Sequence, residues 1–204
     1  MCKIEIIDSG IIDDRDSAFP LTVKLDNDEL LCSFGVGGGA LVTGQTEYAR
    51  SRDGGVTWQP AGVILEKDHE HGRANFLKIT TGTNCNTIYA YGAWIDDEVD
   101  HQFGQRPTTA VLCRSHDQGQ SWSPAVDIPF PMECPLEVSH GLLVLQSGRL
   151  LAPAAALSGK DTLGERVCLA VSDDDGKTGQ YTTVFEDAVG LKDRRGFFEH
   201  KFVE

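Results

Sequence analysis

Three times in 204 residues the chain spells the same short turn. The copies are Ser51-Arg-Asp-Gly-Gly-Val-Thr-Trp58, Ser115-His-Asp-Gln-Gly-Gln-Ser-Trp122 and Ser172-Asp-Asp-Asp-Gly-Lys-Thr-Gly179, with the shared pattern S-x-D-x-G-x-[T/S]-W. A fixed pattern recurring every few dozen residues points to a repeat architecture, in which one supersecondary unit is stacked on its neighbours. Each copy follows a strand-like run (Thr46 to Arg50, Thr109 to Arg114, Val167 to Val171) and precedes another (Ala61 to Leu65, Ala125 to Ile128, Tyr181 to Phe185). Asp53, Asp117 and Asp174 are suited to accept hydrogen bonds from backbone N–H groups just downstream, and Gly55, Gly119 and Gly176 to take a positive φ. Trp58 and Trp122 supply a large apolar face beside the turn. Gly179 replaces that Trp, so the third turn is expected to pack least well.

A second hairpin precedes each copy. Leu21 to Leu25 and Glu29 to Phe34 flank Asp26-Asn27-Asp28; Phe76 to Thr80 and Thr87 to Tyr91 flank a loop with Gly82 and Asn84; Leu142 to Leu145 and Arg149 to Ala152 flank Gln146-Ser147-Gly148. The unit is therefore four strands, with a period of 64 and then 57 residues between the repeat serines and insertions in loops such as Asp96 to Pro107. Four strands on such a period predict a propeller blade. No helical 3.6-residue pattern competes. The fold class expected is all-β, a partial β-propeller of about three four-stranded blades, as one domain spanning residues 1–204. A hydrophobic fraction of 40% with 24% charged residues is that of a globular chain with a core.

The charge balance narrows function. Thirty-one Asp and Glu against 18 Lys and Arg give −13, a field that repels phosphate backbones and anionic lipid surfaces, so no nucleic-acid partner is expected. No segment approaches the ~20 apolar residues of a membrane span, and the N-terminus lacks a signal-like apolar run, which leaves the cytoplasm as the default compartment. Cys2, Cys32, Cys85, Cys113, Cys134 and Cys168 are dispersed without a C-x-x-C pair and read as buried thiols. Asp68-His-Glu-His71 has metal-ligand spacing but no third ligand, and reads as a solvated inter-blade linker. Gly35-Val-Gly-Gly-Gly39 lacks the Lys and helix of a phosphate loop. Asp173-Asp174-Asp175 belongs to the third turn and needs no calcium. Neither a metal nor a cofactor is expected.

The S-x-D-x-G-x-[T/S]-W turn resembles the Asp-box of the sialidase (neuraminidase) superfamily, whose fold is a six-bladed β-propeller. Ser139-His-Gly-Leu-Leu-Val-Leu-Gln-Ser-Gly-Arg-Leu-Leu-Ala-Pro153 is similar to the family's third-blade G-H-G-x-x-L-x-x-G-R-L-x-x-P segment. Phe198-Glu-His-Lys-Phe-Val-Glu204 is similar to its fourth-blade N-E-x-x-V-V-E-L start, with Phe198 in place of Asn. The resemblance implies a glycoside hydrolase acting on terminal sugars, an exo-α-sialidase in the sharpest form, with a carbohydrate or glycoconjugate as partner. It gives Glu199 the part of polarising a catalytic Tyr from a later blade, an exception to the two-carboxylate rule for glycosidases. Two departures stand out. The family's R-I-P arginine is replaced in Ala18-Phe19-Pro20, and in the stretch Gly35 to Glu47 ahead of the first turn, where an acid/base Asp is expected, the one carboxyl group is Glu47.

In a propeller, residues that precede each first hairpin strand ring one mouth of the central channel. Those are Arg15 and Asp16, Arg73, Glu137 and His140, and Arg195 and Glu199. Glu199 is the catalytic candidate, with Arg73, Glu137, His140, Arg149 and Arg195 as candidate substrate-binding residues. Solvated loop charges are the plainer reading of each. The departures at Ala18 and Glu47 keep open a non-catalytic carbohydrate-binding or interaction propeller. Aligning Val23-Lys24-Leu25, Leu77-Lys78-Ile79, Leu143-Val144-Leu145 and Lys201-Phe202-Val203 suggests a fourth blade opening at the end of the sequence. The chain is accordingly expected to be part of a longer reading frame and inactive as a sialidase by itself.

Overall fold

The computed structural model describes residues 5, 8–37, 44–67, 72–84, 86–96, 106–138, 140–158, 163–186 and 201–204. Every regular element among them is a strand. Blade 1 is an antiparallel sheet in the order β1 (Ser17–Lys24), β2 (Leu30–Val36), β3 (Thr46–Ser51), β4 (Gln59–Val63). Blade 2 repeats the order with β5 (Arg73–Thr81), β6 (Ile88–Ile95), β7 (Thr108–Ser115) and β8 (Val126–Ile128). In blade 3 the first strand is split into β9 (Leu136–Glu137) and β10 (Leu143–Val144). Both pieces pair with β11 (Leu150–Leu157), which continues into β12 (Leu163–Ser172) and β13 (Gln180–Glu186). The expected all-β, three-bladed partial propeller is the observed fold, with every expected hairpin in place.

The burial pattern follows from stacking sheet on sheet. β6 reads Ile-Tyr-Ala-Tyr-Gly-Ala-Trp-Ile and is buried at every position, because its blade is covered on both faces. Its alternation divides the labour: Tyr89, Tyr91, Ala93 and Ile95 join Leu150, Ala152 and Cys168 in the core between blades 2 and 3, while Ile88, Ala90 and Trp94 join Leu31 and Tyr48 between blades 1 and 2. The outermost strands β4, β8 and β13 are mostly exposed, and β4 carries Pro60, tolerated at an edge where no ladder N–H is needed. Each fully buried aliphatic side chain in these layers contributes about 1.5–3 kcal/mol.

The three S-x-D-x-G turns close the outer hairpins with one hydrogen-bond set. In the first, Ser51 Oγ accepts from Gly55 N (2.8 Å), and Asp53 accepts from Thr57 N (2.9 Å) and Thr57 Oγ1 (2.5 Å). Asp117 and Asp174 repeat these bonds to Ser121 and Thr178, and Ser115 and Ser172 repeat them to Gly119 and Gly176. The third turn keeps all of these bonds, and with Gly179 it lacks the apolar cover of the Trp and the bond that Trp58 Nε1 donates to Gly55 O (3.0 Å) in the first. Trp58 packs on its own blade against Cys32, Phe34 and Ala49, whereas Trp122 meets Tyr48 of blade 1 edge to face at 5.9 Å. The turns lie at the blade edges away from the strand starts, and Asp53, Asp117 and Asp174 do not converge.

These bonds have a pH consequence. Thr57 and Ser51 hydrogen bonds hold Asp53 down to about 2; Asp174 is held there by Thr178, and Asp117 by Ser121 and Ser115 against an opposing burial effect. A carboxyl whose folded pKa lies below its unfolded value stabilises the fold above the unfolded pKa, and that contribution is lost as pH falls. Stability is therefore expected to drop between about pH 4 and pH 2. Acid titration of Asp117→Asn by circular dichroism should show a shallower drop; an identical acid limb would mean that the turns are energetically silent.

The blades are latched by the same turns. Arg50 of β3 donates to Gln118 O in the next blade's turn (2.7 Å) and pairs with Glu29 (2.8 Å). The equivalent Arg114 of β7 lies 3.7 Å from Asp175 in the third turn. Gln118 and Asp175 both take positive φ, at 58° and 65°. Gly119 and Gly176, the next residues, take φ 78° and 73°, and a Cβ there would also press at 2.7 Å on the side-chain end of Leu31 or Leu112 of the preceding blade, so glycine seats the turn with the least strain.

Candidate functional site

Antiparallel order within the blades puts two kinds of loop at opposite ends of the molecule. One end carries the starts of β1, β5 and β9; the other carries the first hairpins and the S-x-D-x-G turns. The first strands lie side by side in one direction: Thr80 Oγ1 donates to Leu142 O (3.0 Å), and a Cβ on Gly141 would sit 3.2 Å from Lys78 Cβ and 3.5 Å from Leu21. Leu21, Lys78 and Gly141 are therefore one position repeated around the axis. One step toward the strand starts, Ala18, Asn75 and Glu137 pair with Gly35, Ala93 and Ala155, and these partners are equivalent in the three second strands.

Of the expected set, Arg73, Glu137 and His140 lie toward this end. Arg73 opens β5 and pairs with Ile95, half-buried. Glu137 ends β9, half-buried, near enough to Tyr91 for its charge to act on that phenol. Burial first, and Glu137 second, push the Tyr91 hydroxyl well above its ordinary pKa, and it stays protonated to donate to Pro153 O (2.7 Å). His140 lies in the break between β9 and β10, half-buried. Thr108 Oγ1 secures the same strand start by donating to Leu136 O (3.0 Å).

Other expected residues are engaged elsewhere. Arg149 sits at the opposite end, just after the hairpin, where it is held bidentate by Asp173 at 2.7 and 2.9 Å. Arg15 is at the strand-start end, but its guanidinium grips Glu47 (2.7 and 3.2 Å) and Asp13. Arg15 hydrogen bonds hold the Asp13 carboxyl at about 2. Glu47 is thereby committed to an ion pair in its own blade. The three acidic residues of the third turn have three separate partners: Asp173 takes Arg149, Asp174 bonds the turn, and Asp175 accepts from Tyr89. Among the described residues no cluster of three metal-ligating side chains occurs. Arg195, Glu199 and the Asp68–His71 stretch lie outside the described residues, and Lys201–Glu204, described, form no strand.

Sequence reasoning missed Lys78, Phe19 and Phe76. Lys78 is 8% exposed, donates to Phe19 O in blade 1 and lies 5.4 Å from the Phe19 ring centroid; among the described residues no carboxylate pairs with it. Burial drives its ammonium down to about 8. The signal was a lysine inside the apolar run Phe76-Leu-Lys-Ile79, at a position whose counterpart in blade 1 is Leu21.

No protein-family model and no curated relative matches the chain. Solved structures share its fold. A protein of unknown function from Dyadobacter fermentans superimposes with a TM-score of 0.67 at 22% identity, over 85% of this chain and 56% of that one. An α-L-arabinanase from Penicillium chrysogenum, complexed with arabinobiose, gives 0.59 at 20% identity over 86% and 51%. The Trypanosoma rangeli sialidase in complex with sialic acid gives 0.59 at 14% identity over 82% and 30%. The fold is thus that of β-propeller glycosidases, and the chain spans about half or less of the length of these structures.

Proposed function

We propose that this chain serves a sialidase-like glycoside hydrolase acting on terminal sugars. The observation that carries the reading is the convergence of three innermost strands at one end, bearing Arg73, Glu137 and His140, in a fold shared with glycosidases of two kinds. Support for the sialidase form comes from the Asp-box pattern of the three turns and from the G-H-G-like segment around His140. In this reading Glu199 polarises the catalytic group, Arg73 and Arg195 contact the sugar, and Glu137 accepts its hydroxyls. Arg149, held by Asp173 at the other end, stays out of the site. The substrate is a carbohydrate or glycoconjugate, and the chemistry calls for no cofactor.

A second reading, a non-catalytic carbohydrate-binding propeller, is favoured by one feature. The first blade offers Ala18 where a carboxylate-gripping guanidinium is expected, and its Glu47 is tied to Arg15. Hydrolysis of a fluorogenic sialoside and of an aryl arabinofuranoside by the complete gene product separates the two. Release of the sialoside aglycone, with kcat/KM falling at least tenfold in Glu137→Gln, is the expected result. Sugar binding without release of either aglycone would establish the second reading.

A further inference from the structure

The innermost strands of blades 1 and 2 break register at one equivalent place, between Ala18 and Leu21 and between Asn75 and Lys78. At both breaks the residue after the break begins is a phenylalanine with φ 56°. Bulky side chains rarely enter that region, and strain of this kind gathers at functional sites. A bulge needed only for twist would be met at less cost by glycine. Instead the two rings meet, with centroids 5.3 Å apart and planes at 64°. Phe19 is 39% exposed, although it stands on the innermost strand. Lys78 fixes it by a hydrogen bond to its carbonyl and by lying near its ring. Beside Phe76, the Asn75 side chain is 1% exposed; its Oδ1 accepts from Phe76 N (2.8 Å), and its Nδ2 has no hydrogen-bond partner among the described residues.

We propose that Phe19 and Phe76 form an aromatic platform at the strand-start end that stacks against the C–H face of a sugar ring, with Lys78 as a positioning residue for Phe19. The platform deepens the carbohydrate reading above and rests on it. One face of a pyranose or furanose is lined by polarised C–H groups, and an aromatic face with its negative quadrupole is their natural partner. Phenylalanine brings no hydrogen bond to satisfy, so it contributes contact, while Arg73, Glu137 and His140 at the same end are left to orient the hydroxyls.

The test is saturation-transfer NMR with irradiation of the protein's aromatic protons, using arabinobiose, N-acetylneuraminic acid and methyl galactoside as probes, with affinities from calorimetry. Wild-type protein is expected to transfer saturation to the C–H protons of at least one probe. Phe19→Leu, which keeps bulk and removes the aromatic face, should weaken that binding at least tenfold, and Phe19→Trp should restore it. Phe76→Leu serves if Phe19→Leu fails to fold. Unchanged affinity in a folded leucine variant overturns the platform and leaves the carbohydrate reading standing. No transfer to any probe from the wild type overturns both. A wild-type dimer that dissociates in Phe19→Leu would show the ring covered by a second copy, which also overturns the platform.

Discussion

Replacing Gly92 by alanine should destabilise the protein more than any other single methyl addition on β6. A Cβ at this position would lie 2.7 Å from both Asn75 O and Leu77 N and 2.8 Å from Leu77 Cα. All three atoms are backbone, so no rotamer change relieves the clash. They belong to the bulge that carries Phe76, and Leu77 N is itself anchored to Thr46 Oγ1 of blade 1 at 3.1 Å. Moving the bulge therefore disturbs the core between blades 1 and 2 as well. Overpacking of this kind costs about 3 kcal/mol. At roughly 2–4 °C per kcal/mol for a chain of this size, the thermal midpoint should fall by roughly 6–12 °C. Gly148→Ala, where φ is 86° and nothing lies within 4 Å of the added methyl, isolates the cost of backbone strain and should lose only about 1 kcal/mol. Equal midpoints for Gly92→Ala and wild type would show that the bulge does not press on β6.

The second large effect is the pH dependence carried by Lys78. Its ammonium is driven by burial from 10.5 to about 8. Between those values the folded state binds fewer protons than the unfolded state, so the Lys78 contribution to stability rises with pH across that window. Below about pH 8 both states carry the charge, and the cost of burying it is present in full. Lys78→Met removes that cost and also removes a hydrogen bond to Phe19 O, a pH-independent loss of about 1 kcal/mol. The stability of the variant relative to wild type should accordingly fall by about 2–3 kcal/mol from pH 7 to pH 10.5. Burial also pushes up the neighbouring Cys32 thiol, so both proteins are best compared in a Cys32→Ala background. Urea denaturation across the window gives the difference directly. A gap that does not change with pH would mean that the amine is neutral, or well solvated, in the fold.

Thirteen strand-like runs could be read from the chain, and the twelve assigned to the three blades occur as strands, because stacking sheets demands apolar runs between turn residues. The boundaries were harder. β1 reaches back through Pro20 to Ser17, as a bulge interrupts the alternation that marks a strand. The first strand of blade 3 is broken, with one residue more between Glu137 and Leu143 than the other blades need. Lys201-Phe-Val203 has strand-like composition but forms no strand among the described residues, since a strand exists only where another pairs with it.

Which end of the molecule Arg73, Glu137 and His140 occupy was legible from their position ahead of the first hairpin strands. Arg149 directly follows the hairpin turn Gln146-Ser147-Gly148, which already set it at the other end; its pairing with Asp173 is what the sequence did not show. Arg15 and Glu47, 32 residues apart, gave no sign of their ion pair.

Local chemistry was written in the amino acids themselves. A serine, an aspartate and a glycine at fixed offsets make one turn wherever they occur, since every bond they form lies within a few residues. So sequence alone determined the blade, its repetition and the all-β class. Contacts between blades lie far apart along the chain, and only packing decides them: Arg50 reaching Gln118 O, Lys78 reaching Phe19 O, and two phenylalanines meeting at twin bulges. Their partners are 59 to 68 residues distant for the hydrogen bonds, with no periodicity to announce them. The tertiary structure settles them through the distance between neighbouring sheets and the narrowness of the axis, where three first strands must share one space.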